Sequence, residues 1–188
     1  MLTATIDTLE GRDVAVVDIA GAYLSVDMDD EVYVVFRGTL SEMMVAANPE
    51  LYRPFVSYDT GNAVLYVRLQ KSLYGCIKSA LLFYKKLVGD LEAYGFRVNP
   101  DDPCVANKMI GGRQITVCWH VDNLKISWID ANEVTKMIQW LESEYGEMHG
   151  SRRKRHNYLG MWLYYSIPGE VHIFMEEYLR GVLYYLPE

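Results

Sequence analysis

The chain has 188 residues, 51% of them apolar, and a formal net charge of −7. That length gives a single domain, residues 1–188, with room for a real core, and no apolar run approaches the length of a membrane span, so no membrane partner is expected. The acidic balance counts against strong autonomous binding to a nucleic-acid duplex, which normally leaves a basic footprint.

Residues 3–10 have the pattern of a helix that stops at Gly11. "VAVVDIA", 14–20, is a continuous β-branched run, as in a buried strand, and "VYVVF", 32–36, is a second strand. Residues 40–52 predict a short helix and loop stopped by Asn48-Pro49. "VLYVRL", 64–69, follows the turn signal Asp59-Thr60-Gly61-Asn62. From Ser79 to Tyr94 the period becomes helical, with Ala80, Phe83, Tyr84, Leu87, Val88, Leu91 and Tyr94 on one stripe and Gly95 as the stop.

"VANKM" and "QITVCWHV" flank Ile110-Gly111-Gly112-Arg113, a hairpin signal, and "LKISWI" follows a bend at Asp122-Asn123. Asn132 is the expected cap of a helix carrying Val134, Met137, Ile138, Leu141 and Tyr145, ended by Gly146. "YLGMWLYYS" and "EVHIFM" predict a further hairpin turning at Pro168-Gly169, and a last helix covers 176–186. This order gives an α+β fold: an antiparallel sheet with helices packed on one face, close to a split βαβ or palm arrangement.

The charges are unevenly spread, with "DMDDE" at 27–31 and "RRKRH" at 152–156. Three cysteines, Cys76, Cys104 and Cys118, are odd in number and widely spaced, which indicates buried thiols and a reducing compartment. No CxxC spacing supports a zinc site built from Cys104, Cys118 and His120. The first residues, "MLTATIDTLEGRD", lack the basic start and apolar core of a secretory signal, so the expected location is cytoplasmic.

Two acidic strand ends stand out. Asp18 closes "VAVVD" and Asp122 sits at the bend of "CWHVDN". On neighbouring strands, both carboxylates emerge at one edge. Two-metal phosphoryl chemistry needs such a pair of hard oxygen ligands, with ions roughly 4 Å apart. From spacing alone, the same pattern is that of two loop carboxylates with no chemistry.

Five blocks in order carry more: "VVDIAGAYLSVDMDDEVYV", "LQKSLYGCIKSALLFYKKL", "YGFRVNPDDPCVANK", "CWHVDNLKIS" and "HNYLGM". Together they resemble the reverse transcriptase domain of copia-type LTR retrotransposons over nearly the whole chain. In that family the first block reads Asp-x-x-x-Ala-Phe/Tyr-Leu, the second Lys-x-Leu-Tyr-Gly-Leu-Lys and the hairpin Tyr-Val-Asp-Asp. The resemblance implies a palm with partial fingers and the start of a thumb, and without the N-terminal fingers, most of the thumb, connection or RNase H. It implies RNA-directed DNA polymerase activity, two Mg²⁺ or Mn²⁺ ions, deoxynucleoside triphosphates and an RNA or DNA template-primer as partners. It also implies the missing domains of a polyprotein, and a virus-like particle or the nucleus as further locations.

Residue by residue, the resemblance makes Asp18 and Asp122 metal ligands, with the Ile19 carbonyl as a further ligand. The amides of Gly21 and Ala22 match the triphosphate site, and Tyr23 the aromatic gate against a 2′-hydroxyl. Tyr74, Gly75, Lys78 and Ser79 match the block that lines the nucleotide and template pocket. Lys154 matches a proton donor to pyrophosphate, and Tyr158, Leu159 and Gly160 the turn that grips the primer. Taken alone, these positions are a strand-end aromatic, a turn glycine and solvated lysines.

Two positions depart from the pattern. His120 stands where the family has tyrosine and is given no chemistry. Asn123 replaces the second hairpin aspartate: its amide oxygen keeps a ligand without the charge, so catalysis by the palm is expected to be impaired. As a bland alternative, Asn123 is a turn residue tolerant of a left-handed backbone. Two other readings remain: a catalytically inactive palm-fold module with a structural or interaction role, and a nucleotide cyclase or other palm-fold enzyme, which has no "GGDEF"-like signal behind it.

Overall fold

The computed structural model describes residues 2–184. In chain order it has α1 (Leu2–Leu9), β1 (Asp13–Ile19), a 3₁₀ turn (Ala22–Ser25), β2 (Tyr33–Arg37), α2 (Thr39–Ala47), α3 (Pro49–Tyr52), β3 (Val56–Asp59), β4 (Asn62–Arg68) and α4 (Ser79–Ala93). Then come β5 (Arg97–Val98), β6 (Val105–Ile110), β7 (Arg113–His120), β8 (Asn123–Trp128) and α5 (Ala131–Tyr145). The chain continues through β9 (Met148–Ser151), β10 (Arg155–Tyr158), β11 (Met161–Tyr164), β12 (His172–Phe174) and α6 (Glu176–Tyr184). Residues 185 and 186 of the expected last helix lie outside the described residues. The fold is mixed α/β, with antiparallel pairing in every sheet.

The chain divides into two compact units, one spanning Tyr23–Leu82 and the other formed by the described residues on either side of it. In the larger unit, six strands are ordered β5-β6-β7-β8-β1-β9. Cross-strand partners share a face of a sheet, and the register Val17↔Leu124 and Trp119↔Leu124 puts these three together. Tyr84 of α4 lies against the Trp119 ring. Arg152 ties Asp13 to the α5 residues Ala131 and Thr135, and Asp13 is the partner of Trp128. Helices α4 and α5 therefore cover the face of Val17, Leu124 and Trp128, burying Phe83, Leu87, Leu91, Val134, Met137 and Leu141.

The opposite face is not bare. Val14 and Val16 pack with Ala4 of α1 and with Tyr158, Leu163 and Tyr165, beside the three-stranded sheet β10-β11-β12. This corrects the expectation of helices on one face only: α1 buries Ala4 and Asp7 on the second face, where Asp7 meets Lys125 from β8. Gly150 allows β9 to close on β1, since a Cβ there would lie 2.4 Å from the Val16 carbonyl oxygen.

In the smaller unit, β2-β4-β3 forms a three-stranded sheet beside α2. Thr60 and Gly61, both at positive φ, turn the chain between β3 and β4. Asn48-Pro49 ends α2 as expected and also starts α3: the Asn48 side chain accepts from the Leu51 amide at 3.1 Å, with Pro49 in the first turn. The cap of α5 is Asp130 rather than Asn132, because the Asp130 carboxylate accepts the Asn132 amide at 2.8 Å.

No helix among the described residues is long and apolar enough to cross a membrane.

Candidate functional site

Asp18 is the sixth residue of β1 and the first polar one after four buried positions. Its register partners are Asn123 on β8 and His149 on β9, and Asn123 in turn pairs with His120 on β7. His120, Asn123, Asp18 and His149 therefore form a row across four strands on one face. Asp122 joins this row from the connecting turn, where its carbonyl accepts the Ile19 amide at 3.0 Å. Burial pushes the Asp18 carboxyl above its ordinary range, the nearby Asp122 charge adds to that, and His149 opposes it. The two acids expected at one edge are thus near enough to repel.

The turn itself differs from the expected Asp122-Asn123 bend. Asn123 already belongs to β8 and pairs with His120, so the turn residues are Val121 and Asp122. The left-handed residue is Val121, at φ 56°, not Asn123. A β-branched residue there is strained, and this strain sits at the tip carrying the carboxylate. Tolerance of positive φ therefore does not explain Asn123. Its amide instead donates to Asp122 Oδ1 at 3.2 Å.

Among the described residues, no three His, Cys, Asp or Glu side chains gather as a metal cage. The available oxygens are the carboxylates of Asp18 and Asp122, the Asn123 amide oxygen and the Ile19 carbonyl. Mg²⁺ commonly takes one or two carboxylates and completes its shell with water and substrate phosphate, so this donor set suits it.

Lys154 is not beside these acids. Strand β9 leaves β1 in register from Ile19↔Met148 to Val16↔Ser151, so later residues move away from Asp18. Lys154 lies with Asp13 and Val14, at the other end of β1. The residue that stands beside Asp18 is His149, which the sequence reading missed; Gly150 next to it is the signal, marking a close strand approach. The "RRKRH" cluster also does not act as a unit. Arg152 is held by Asp13, Thr135 and Ala131, and the Arg155 guanidinium stacks 3.8 Å from the Trp162 ring centroid.

Gly21 takes φ 65° as the chain enters the 3₁₀ turn, and Ala22 is buried. Within the smaller unit, the Tyr23 and Tyr74 rings meet with centroids 4.3 Å apart, and Gly75 is at φ 93°. Ser79 is fully buried and donates to the Leu73 carbonyl at 2.7 Å, closing the loop that carries Tyr74 and Gly75. Lys78 contacts Asp30 at 2.6 Å and Asp29 at 3.7 Å; the hydrogen bond to Asp30 leads in raising its pKa. Its ammonium is therefore engaged with acids of its own unit. Leu159 and Gly160, both at positive φ, make the turn between β10 and β11, while Tyr158 is buried and its hydroxyl pKa is raised chiefly by that burial.

No protein-family model matches the chain, and no curated protein matches it. Among solved structures it is similar to apo telomerase from Candida tropicalis, with a TM-score of 0.44 and 11% identity over 91% of this chain and 35% of that one. It is equally similar to that telomerase truncated from its C-terminal domain, with a TM-score of 0.44 and 11% identity over 91% of this chain and 38% of the other. The chain spans less than two fifths of the length of either.

Proposed function

We propose that the chain is the palm of a reverse-transcriptase-like polymerase of copia type, impaired at Asn123. The observation that carries this reading is the placing of Asp18 on β1 beside the turn that holds Asp122, where burial first and the Asp122 charge second raise the Asp18 pKa. Such a pair is costly unless something cationic comes to it. The ordered sequence blocks support the same chemistry.

In this reading Asp18, Asp122, the Ile19 carbonyl and the Asn123 amide oxygen hold divalent ions. Such ions would supply the charge that activates a primer 3′-hydroxyl and neutralises a departing pyrophosphate. His149, rather than Lys154, stands beside Asp18 and is the group able to pass a proton to a leaving phosphate there. The nucleotide-contacting roles of Gly21 and Ala22 in one unit, and of Tyr23, Tyr74, Gly75 and Lys78 in the other, rest on the resemblance alone. Tyr158, Leu159 and Gly160 keep the primer-contacting one. Deoxynucleoside triphosphates and an RNA or DNA template-primer are the partners.

One observation favours a second reading, an inactive palm-fold module. The Asn123 amide donates to Asp122, so the turn satisfies part of its carboxylate without a metal. Primer extension on an RNA template with Mg²⁺ or Mn²⁺ separates the two. Polymerase ancestry predicts extension by Asn123→Asp that is lost in Asn123→Asp/Asp18→Asn. Absence of extension together with absence of Mn²⁺ binding by Asn123→Asp supports the module.

A further inference from the structure

Each open sheet has two edge strands, whose outer backbone groups lack a neighbouring strand. Among the described residues these edges are β5, β9, β10, β12, β3 and β2. The first five have two to four residues, whereas β2, Tyr33–Arg37, has five. Edge strands are normally kept short, or blunted by proline, a bulge or charge, because they template pairing with another chain. At the other edge of the same sheet, β3 follows Pro54 closely and closes on Asp59. Strand β2 has no proline and pairs one-to-one with β4 along its whole length, so it has no bulge. Its one charge is Arg37, at the end.

The register identifies the open groups. The Leu69 amide donates to the Val32 carbonyl at 2.9 Å, and the Gly38 amide to the Ala63 carbonyl at 2.7 Å. In an antiparallel ladder these bonds flank the non-hydrogen-bonded pairs Tyr33↔Arg68 and Arg37↔Val64, and alternation makes Val35↔Tyr66 another. Val34 and Phe36 therefore turn their N–H and C=O groups to β4, and Tyr33, Val35 and Arg37 turn theirs outward. No described residue bonds these outward groups. All three residues are exposed, Tyr33 at 50% and Val35 at 40%.

We propose that this edge is a homodimer interface: β2 of a second copy pairs with it antiparallel, about a two-fold axis through Val35. The strand is complementary to itself in that register, as an isologous contact requires. Parallel pairing would set the two Arg37 guanidinium groups side by side, and like charges directly opposite are destabilising. Antiparallel pairing sends them to opposite ends, four residues or roughly 14 Å apart. Each Arg37 then stands opposite Tyr33 of the second copy, a cation beside an exposed ring, while Val35 faces Val35. On the reverse face, half-buried Val34 and Phe36 meet Phe36 and Val34 of the second copy. The outward N–H and C=O groups of both copies bond one another, and the two sheets become one by strand addition. The proposal does not depend on the polymerase reading.

Sedimentation equilibrium of the whole chain, paired with amide hydrogen exchange, tests it. The expected result is a monomer–dimer equilibrium in which the amides of Tyr33, Val35 and Arg37 gain protection as concentration rises. Those of Val34 and Phe36 are protected throughout. Val35→Lys and Val35→Glu should each raise the dimer dissociation constant about tenfold or more, because each sets like charges face to face on the axis. An equimolar mixture of the two variants should recover the dimer as a heterodimer. Val35 is exposed, so an unchanged circular dichroism spectrum is expected of both variants; if either misfolds, the exchange result on the unaltered chain decides. A chain that stays monomeric up to its solubility limit overturns the proposal. So does a dimer that both variants leave unchanged, which places the contact elsewhere. Protection of the three outward amides that is already complete in the monomer also overturns it, since another part of the chain then occupies the edge.

Discussion

Two groups of charges stand on the same face of the central sheet and are treated in opposite ways. Lys125, two residues beyond Asn123 on β8, is buried against Asp7 of α1, and buried Arg12 bonds Glu10, Thr116 and Ser127. At the strand ends, burial and then the like charge of Asp122 raise the Asp18 pKa, beside the strained Val121. Where charge is interior, the fold supplies an opposite partner. Where it is at the edge, the fold keeps a repulsive pair and a backbone outlier. The first arrangement is what stability demands; the second costs stability and marks the place where a ligand is expected.

The largest effect should come from the compensated side. Lys125→Met leaves Asp7 buried without its cation and should cost about 3–5 kcal/mol in urea unfolding. Asp7→Leu/Lys125→Met should recover most of that loss, because an ion pair replaced as a whole is close to neutral. If the single change costs less than about 1 kcal/mol, the interior pair is not structural and the contrast fails.

The carboxylate edge should respond to charge in the opposite sense. Asn123→Asp adds a third carboxylate and removes the amide donated to Asp122. It should tighten Mn²⁺ binding by about two decades, roughly 2.7 kcal/mol, read by calorimetry. Unchanged affinity would mean that position 123 only shapes the strand start. Gly150→Ala should cost about 1–3 kcal/mol, because its Cβ has no room against the Val16 carbonyl, and it should shift His149 away from Asp18.

The pH dependence is smaller. The folded-state pKa of Asp18 is raised above the ordinary aspartate value, so the folded chain holds that proton more tightly. Its contribution favours folding fully below the ordinary value and is lost as pH rises through the raised one. Asp18→Asn should flatten that limb, by less than about 1 kcal/mol given the partial exposure of the group. The smallest change is expected for Val121→Gly. Relief of left-handed strain, about 1–2 kcal/mol, is partly offset by the backbone entropy of glycine, so a gain of under about 1 kcal/mol in unfolding free energy is expected.

Much of this was legible in the sequence. Long apolar runs fixed β1, β7 and β8, and helical periodicity with a terminal glycine fixed α4 and α5. The sequence put Asp18 and Asp122 at one edge only on the condition that their strands are neighbours; that Asp18 lies opposite Asn123 is set by the sheet register. The missed strands β3, β5, β9 and β10 are two to four residues each, too short to carry a readable period; β9 is placed by β1, far away in sequence, whereas β3 pairs with the neighbouring β4. His149 was hidden for that reason, and Lys154 was misplaced because the direction of β9 is a tertiary fact. The turn was shifted by one residue because Asn123 resembles a turn former more than Val121 does, and only the strand register decides between them.

The most direct test of the central claim is Mn²⁺ paramagnetic broadening across the ¹⁵N-labelled chain. A divalent-ion site at the sheet edge predicts broadening centred on the amides of Asp18, Ile19, Asp122 and Asn123, saturable and lost in both Asp18→Asn and Asp122→Asn. Broadening that is diffuse, or that centres on the acids at 27–31 and survives both changes, would contradict it.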